Sequence, residues 1–390
     1  MNLPKNNFFL IDLNKIDLGF FCIFLTLSLF GLIILASASV ELADSMNNRP
    51  LSLFLNQFVK FFIGILVLFS IFFIPLSFWE RIDLWLLFFG IMLLLLVFIP
   101  GIGFEANGAN RWIRIFGFSL QPSEIMKFIS IIYIASYSVR RVKDLQTHWF
   151  AFFKPAVLIV LILSLILLQP DLGTSVVIFL TLLGVLFVSG VQLKQFLIVI
   201  GTGVVGILSL IIFVPWRWER IISFTDPWNY ANDSGYQLTQ SLMAIGRGDW
   251  FGVGVGEGLM KMGYLPDAHT DFIFSVIVEE LGILTGIIVI GLLFALTFRC
   301  FFIGREALKK NLLFGFFSAY GVAILIGTHT LINVGVASGL LPTKGLTLPF
   351  ISYGGTNLIV MCAMIGLILK IDYETKMAMP VVNISRRAHS

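Results

Sequence analysis

The sequence predicts an all-α polytopic membrane protein with about ten transmembrane helices and a large outer loop between the seventh and eighth. Two observations predict this fold class. Of the 390 residues, 58% are hydrophobic and only 12% are charged, whereas a soluble domain carries about 25% charged residues. Ten apolar segments also approach the roughly 20 residues that a helix needs to cross a bilayer core of about 30 Å.

The ten segments follow one another along the chain and differ in length. Two of them are short, so their helices are expected to extend into the flanking sequence. The segments lie near 17–39, 54–75, 82–100, 123–138, 155–169, 173–190, 196–214, 272–298, 313–336 and 351–369; the short ones are 123–138 and 155–169. We therefore divide the chain into an N-terminus of residues 1–16, one transmembrane domain of residues 17–370 with an outer loop at about 215–271, and a tail of residues 371–390.

Basic residues predict the orientation. An even number of spans puts both termini on one side, and the loops 140–154 and 299–310 are especially rich in Lys and Arg. By the positive-inside rule those loops and both termini face the cytoplasm. Residues 1–16 are polar and lack a small-residue cleavage site, so the first apolar segment is expected to be a retained helix.

Composition also excludes several classes of function. Cys22, Cys300 and Cys362 are far apart in apolar sequence, which fits neither a disulfide framework nor a zinc site. The net charge of +4 is spread over separate loops, so nucleic-acid binding is not expected.

The loop at 101–122 is the first with unusual polar residues. Arg111 and Arg114 flank Trp112, and two guanidinium groups at a membrane surface suit a phosphate or diphosphate headgroup. The alternative is interfacial anchoring, because Trp and Arg favour that depth. Glu124 and Lys127 follow at i and i+3 inside a predicted span, where they form either a functional pair or a structural ion pair.

Asp171 follows Pro170 at the outer boundary of the next pair of spans. Its carboxylate is placed to contact a cation or a sugar hydroxyl. Asp is equally a favoured N-cap residue, so the same position also suits capping of the following helix.

The longest loop, at about 215–271, contains three recognisable stretches. Residues 216–220 read WRWER, an expected interfacial girdle. Residues 235–246 have helical periodicity and are expected to lie along the membrane or re-enter it. Glycines at 252, 254, 256 and 258 indicate either a flexible loop or a backbone cradle for an anion.

The end of this loop places Asp267, His269 and Asp271 at the mouth of span eight. Asp271 adjoins an apolar run, where desolvation raises the pKa of a carboxyl group. Such a carboxylate is suited to accept a proton from a hydroxyl nucleophile. Glu279 and Glu280 follow about 12 Å deeper by helical rise, and structural and catalytic roles are equally open for them.

The last outer loop, at 337–353, contains a single lysine in a stiff setting. Lys344 lies between Pro342 and Gly345. It is a candidate diphosphate ligand, and the alternative is a solvated loop lysine.

Taken together, these stretches resemble the SEDS family, named for shape, elongation, division and sporulation. The stretches that carry the resemblance are GANRWIRIFGFSLQPSE, QPDLGTS, GYQLTQSLMAIG, YLPDAHTDFIFSVIVEELG and GLLPTKGLTLPFISYGG. Lys261 before YLPDAHTDF, together with PTKGLTLP, favours the cell-division branch over the elongation branch. The resemblance implies a ten-helix fold and a peptidoglycan glycosyltransferase that polymerises lipid II and releases undecaprenyl diphosphate.

The resemblance also assigns roles to residues. Asp271 matches the essential acid of the family and is expected to act as general base on the acceptor sugar 4-hydroxyl. The residues expected to bind substrate are Arg111, Arg114, Lys344, His269, Glu124, Lys127 and Asp171. Three positions depart from the family pattern: Asp267 stands where Glu is usual, and Glu257 and Met260 stand where a small polar residue and Gln are expected.

Expected partners are lipid II, the growing glycan strand, a class B penicillin-binding transpeptidase and other divisome membrane proteins at the division septum. No cofactor is required by the sequence, which lacks paired carboxylates of the DxD type, although Mg²⁺ or Mn²⁺ is allowed. The rival functions are a lipid II flippase and a non-catalytic division scaffold. A flippase would be expected to carry charge along a path through the midplane, whereas most charge here lies in outer loops.

Overall fold

A computed structural model describes residues 12, 15–47, 49–106, 109–115 and 118–378 of the chain. Residues 1–11 of the predicted N-terminus and residues 379–390 of the predicted tail lie outside the described residues. Within the described part, ten long helices correspond one to one to the ten predicted segments. They are α1 (Leu18–Asn47), α2 (Ser52–Phe73), α3 (Leu76–Leu96), α4 (Pro122–Thr147), α5 (Trp149–Leu168), α6 (Leu172–Val188), α7 (Leu193–Ile212), α10 (Ile273–Lys309), α11 (Leu313–Ala337) and α12 (Gly355–Met377).

The polytopic helical fold is confirmed. In the described part, seven of these helices are long and apolar enough on their own to cross a membrane: α1, α2, α5, α7, α10, α11 and α12. The short predicted segments extend as expected, since α4 runs to Thr147 and α5 begins at Trp149. The count of ten crossings stays a prediction.

One end of the bundle carries most of the irregular structure. It holds the α3–α4 connection, the α5–α6 turn, the segment before α10 and the α11–α12 loop, which all line one cavity. We call it the loop-rich end. The predicted outer loop is partly helical there, with α8 (Pro215–Thr225), α9 (Tyr236–Gly248) and a π-helical turn at Met260–Tyr264.

The α3–α4 connection departs from a purely α-helical fold. It forms an antiparallel sheet of β1 (Gly103–Ala106), β2 (Ala109–Ile115) and β3 (Phe118–Leu120) in the order β1-β2-β3. Asn and Gly at positions 107 and 108 separate two segments that pair from Ala106 with Ala109. An Asn-Gly dipeptide between such segments is a strong hairpin signal. The sequence analysis does not predict these strands, because the Gly, Trp and charged residues of 101–122 favour an irregular outer loop.

Helix α9 packs against α10 and the end of α11. The Ser241 hydroxyl lies 2.6 Å from the Ser275 hydroxyl of α10 and donates to the Ala337 carbonyl at the end of α11. The segment after α9 then docks into a break in α10 at Gly282, where the backbone has φ +85°.

Backbone hydrogen bonds hold that docked segment. The N–H groups of Val253 and Gly254 donate to the carbonyls of Glu279 and Glu280 at 3.0 Å. A Cβ at Gly252 would lie 2.2 Å from the Glu280 carbonyl oxygen. Gly252 therefore allows two backbones to approach closely.

Helix α7 stands apart from the rest of the bundle. Gln195 is the buried residue of this helix, and a groove of about 630 Å³ separates it from α5 and α6. The groove is lined almost entirely by apolar side chains and extends from Trp149 to Leu172 and Leu210. It gives the bundle an apolar opening beside the loop-rich end.

Candidate functional site

A polar cavity of about 330 Å³ lies at the loop-rich end, where six separate stretches of the chain meet. It brings together four residues that the sequence predicted for the site: Asp271, Arg111, Lys344 and Asp171. The complete lining is Ala109, Arg111, Pro170, Asp171, Leu172, Gly173, Trp216, Arg220, Gln237, Asp267, Asp271, Phe272, Thr343, Lys344 and Gly345.

Asp271 lies in the turn immediately before α10, outside the spanning helix. The side-chain amide of Asn333 donates to the Asp271 carbonyl at 2.8 Å and to the Leu346 carbonyl at 2.6 Å, which joins this turn to the α11–α12 loop. A Cβ at Gly345 would lie 3.0 Å from Asp271 Oδ2, so the loop backbone closely borders the carboxylate.

The surroundings of Asp271 favour its protonated form. Burial, followed by repulsion from Asp267 and Asp171, raises the pKa of Asp271 to about 7, against the opposing effect of Arg111 and Arg220. No basic group in the described residues lies within ion-pair distance of its carboxylate. A carboxyl group with a pKa near neutrality is suited to exchange a proton with a substrate hydroxyl.

Three cationic side chains, those of Arg111, Arg220 and Lys344, line the same cavity from different elements. Arg111 on β2 is fixed by donating from Nε to the Gln169 carbonyl at 2.9 Å and from Nη2 to the Pro170 carbonyl at 2.6 Å. Burial, then Arg220 and Arg217, lowers the pKa of Lys344 to about 8. A cavity with several cations and few neutralising contacts is suited to a multiply charged anion.

Asp171 caps the following helix, as considered, and also lines the cavity. It caps α6, with Oδ1 accepting from the Thr174 N–H at 3.1 Å. Its Oδ2 accepts from the Gln121 side chain at 3.2 Å, and the residue also lines the cavity. Its orientation is therefore set by the backbone and by the start of α4.

Glu124 and Lys127 form the predicted ion pair on α4, at 2.7 Å, but they do not line the cavity. Lys127 is completely buried and its Nζ lies 3.0 Å from His329 Nε2 of α11. The pair therefore joins α4 to α11 behind the cavity.

Arg114 and His269 are not brought into the cavity either. Residues 111 and 114 are three apart on a strand, where successive side chains alternate between faces. The guanidinium of Arg114 instead lies over the Phe104 ring at 4.7 Å. The His269 ring faces Tyr353, with ring centroids 5.7 Å apart, and burial lowers its pKa.

Arg220 is the main residue that the sequence interpretation missed. It belongs to the WRWER stretch, which forms α8, and it lines the cavity with Trp216. Burial lowers the pKa of Arg220, whereas nearby Asp271 raises it. The signal was available, because Arg and Trp alternate there as they do around Arg111, but interfacial anchoring explained the pattern equally well.

Glu279 and Glu280 hold the segment that docks into α10. Both are completely buried. Glu279 accepts from the Leu259 N–H at 2.9 Å and pairs with Arg247. Glu280 pairs with Lys261, and both groups contact the Ser37 hydroxyl of α1. Their partners hold the docked segment in place, and both residues lie apart from the cavity.

No group of three or more His, Cys, Asp or Glu residues in the described part of the chain is arranged to hold a metal ion.

Comparison with known proteins identifies the family. Residues 17–377 match the FTSW_RODA_SPOVE family, described as cell cycle proteins. A relative from Coxiella burnetii named probable peptidoglycan glycosyltransferase FtsW is 43% identical over 352 residues, which cover 90% of this chain and 95% of the relative. A protein of the same name from Saccharophagus degradans is 41% identical over 92% of this chain and 93% of its own length.

Solved structures show the same fold. The rod shape determining protein RodA of Thermus thermophilus aligns with a TM-score of 0.68 and 26% identity over 93% of this chain and 98% of RodA. A chain from work on the coordination of polymerization and crosslinking by a peptidoglycan synthase complex aligns with a TM-score of 0.75, 26% identity, and coverage of 92% and 98%. The chain therefore belongs to the FtsW, RodA and SpoVE family of cell cycle proteins and has the polytopic membrane fold of that family.

Proposed function

We propose that the chain is a peptidoglycan glycosyltransferase that polymerises lipid II into glycan strands during septal cell-wall synthesis. The observation that carries this proposal is the cavity in which Asp271 lies among Arg111, Arg220 and Lys344. It combines one candidate base with cations for a diphosphate leaving group, which are the two requirements of this transfer. The names of the relatives from Coxiella and Saccharophagus support the same reaction.

The proposed step is a single displacement at the anomeric carbon of the donor sugar. The 4-hydroxyl oxygen of the acceptor sugar attacks that carbon while its proton passes to the Asp271 carboxylate. The bond from the anomeric carbon to the diphosphate oxygen breaks, and undecaprenyl diphosphate leaves with the electron pair. Arg111, Lys344 and Arg220 stabilise the charge that develops on the diphosphate.

The apolar groove beside α7 supports a lipid-linked substrate. Leu172 lines both this groove and the polar cavity, so the two are adjacent at the start of α6. A polyprenyl chain in the groove would place its diphosphate next to Asp171 and Arg111. The substrate would then reach the cavity sideways from the bilayer.

The cellular setting is part of the proposal. The loop-rich end faces outward from the cytoplasmic membrane and both termini face the cytoplasm, as the basic inner loops predict. The synthase complex among the structural neighbours supports a class B penicillin-binding transpeptidase as partner, alongside other divisome membrane proteins. Any need for Mg²⁺ or Mn²⁺ is tested by adding EDTA to the polymerisation assay described next.

The decisive experiment uses purified protein with lipid II, with and without the transpeptidase. Wild-type protein is expected to form glycan polymer, and Asp271→Ala is expected to form none while remaining folded and membrane-inserted. Arg114→Met, outside the cavity, is the matched control and is expected to keep activity. Undiminished polymer from Asp271→Ala would refute the assignment, and translocation without polymerisation by wild-type protein would support the flippase instead.

A further inference from the structure

A cationic side chain, Lys60, is buried where α2 packs against the start of α12. Lys60 lies within α2, about 12 Å along the helix from its start at Ser52. It is only 8% exposed, and no carboxylate in the described residues lies within ion-pair distance of it. A buried ammonium inside a spanning helix is costly, so its lack of a counter-ion requires an explanation.

The start of α12 adds further positive potential next to the Lys60 ammonium. Helix α12 begins at Gly355, and a Cβ at that residue would lie 2.6 Å from Lys60 Nζ. No side chain caps α12, so its first N–H groups and the positive end of its dipole remain available. An ammonium and a helix N-terminus repel each other, but together they form an attractive site for an anion.

Polar groups complete the surroundings. The Tyr353 ring lies 5.2 Å from Lys60 Nζ. The Gln57 side chain is held in place, since Nε2 donates to the Ser352 carbonyl at 3.3 Å and Oε1 accepts from the Gly354 N–H at 3.4 Å. The site is thus built from α2 and the start of α12, and none of its residues lines the Asp271 cavity.

Exposed apolar residues cover the other faces of the helix that carries this site. Phe58, Val59 and Phe62 are 38%, 49% and 54% exposed and point away from Lys60. Because α2 is long and apolar enough to cross a membrane, an anion that reaches Lys60 from the bilayer is amphiphilic, with a negative headgroup at Lys60 and an apolar chain in the bilayer. A lipid phosphate has this chemistry.

We propose that Lys60, Tyr353 and the N-terminus of α12 bind the phosphate-bearing headgroup of a membrane lipid. The lipid is either an anionic phospholipid or a polyprenyl diphosphate, and only the second identity rests on the proposed function. The site also reaches the catalytic turn, because the Tyr353 N–H donates to the His269 carbonyl at 2.9 Å, two residues before Asp271. Occupancy of the lipid site would therefore bear on the turn that carries the proposed base.

The first test measures lipid binding by native mass spectrometry on full-length protein, with phosphatidylglycerol and undecaprenyl diphosphate as separate probes. Lys60→Met is expected to weaken the binding of one lipid molecule by about ten- to hundredfold, and Lys60→Arg is expected to retain it. Lys344→Met serves as the matched control in the Asp271 cavity and should leave this lipid bound. If Lys60→Met loses bound phosphatidylglycerol, the site binds a bulk phospholipid. If it loses one of two bound undecaprenyl diphosphates, the site binds the lipid that the proposed reaction releases.

A second measurement needs no variant and so does not depend on the folding of Lys60→Met. Wild-type protein in phosphatidylcholine nanodiscs is treated with an amine-acetylating reagent, and acetylation of Lys60 is followed by peptide mass spectrometry. Either phosphate lipid is expected to slow acetylation of Lys60 several-fold, and inorganic phosphate is expected to have less effect because it lacks the apolar chain. Equal acetylation with and without both lipids, or unchanged lipid binding by Lys60→Met, would overturn the proposal. Neither readout requires polymerisation, so it remains interpretable if the proposed reaction is wrong.

Discussion

Two acidic sites lie within ten residues of each other at the start of α10, and their surroundings are opposite. Glu279 and Glu280 are completely buried, and each accepts hydrogen bonds or ion pairs from nearby Arg, Lys, Ser or backbone groups. Asp271 is partly exposed to a cavity and has cations around it but no ion pair in the described residues. The first site is neutralised by the protein itself, whereas the second has no direct partner of opposite charge in the described residues.

The presence or absence of direct partners distinguishes a structural carboxylate from a candidate catalytic one more clearly than burial does. A buried carboxylate with a full set of partners fixes the position of its neighbours, and here it fixes the segment docked in α10. A carboxylate with an elevated pKa and no direct partner remains free to change protonation state. Removing a carboxylate from the first site should therefore lower the melting temperature, whereas removing the Asp271 carboxylate should lower activity without lowering the melting temperature.

The largest expected effect is the loss of folding stability in Glu280→Gln. Removing one partner leaves Lys261 buried without its counter-ion, which costs about 3–5 kcal/mol, so the melting temperature in detergent should fall clearly. The double variant Glu280→Gln with Lys261→Met should recover part of that loss, because both charges are removed together.

Asp271→Asn provides the contrast. Because folding raises the pKa of Asp271, the ionised carboxylate opposes folding increasingly as the pH rises from about 4 to about 7. At pH 8, Asp271→Asn should therefore melt no lower than wild type. A larger drop in melting temperature for Asp271→Asn than for Glu280→Gln would contradict the comparison.

The next largest effect concerns Arg220, which the structure adds to the cavity. Arg220→Met should lower kcat/KM for lipid II polymerisation by about ten- to hundredfold, since a hydrogen bond to a charged group is worth about 1.5–3 kcal/mol. Arg114→Met, whose guanidinium lies over Phe104, is the matched control and should change kcat/KM less than threefold. Equal losses of kcat/KM in Arg220→Met and Arg114→Met would show that Arg220 has no specific role in the cavity.

The pH profile of polymerisation should be bell-shaped. Below pH 7 the activity should fall about tenfold per pH unit because Asp271, with its pKa of about 7, loses its basic form. Above pH 8 it should fall again because Lys344, with its pKa of about 8, loses its charge. Lys344→Arg should move only the alkaline limb upward, and an unmoved alkaline limb would exclude Lys344 as its origin.

The smallest expected effect tests how closely the α11–α12 loop borders the base. Gly345→Ala places a Cβ about 3.0 Å from Asp271 Oδ2, so kcat should fall several-fold as the carboxylate shifts. Gly354→Ala is the matched control in the same loop, because its Cβ would meet Thr347 at an ordinary 3.5 Å. Gly345→Ala with wild-type kcat would show that this approach is not important.

Sequence reasoning predicted the helical bundle because apolar length is a local property, and the resemblance to a known family predicted that Asp271, Arg111, Lys344 and Asp171 share one site. It did not predict which face of a strand Arg114 occupies, since the hairpin had been interpreted as a loop. It also did not predict that Lys127 meets His329 about 200 positions later. Such partners depend on helix packing, which a single sequence does not encode in any short pattern.

Leu172 lies where the apolar groove beside α7 meets the polar cavity. For a substrate with a long hydrocarbon anchor, this junction would fix how deep the headgroup lies relative to the bilayer. The anchor cannot rise past the junction without entering a polar space, and the headgroup cannot sink below it without losing its charged contacts. The height of the reacting sugar above the bilayer would then be set mainly by the membrane, whatever the length of the glycan strand that extends into water.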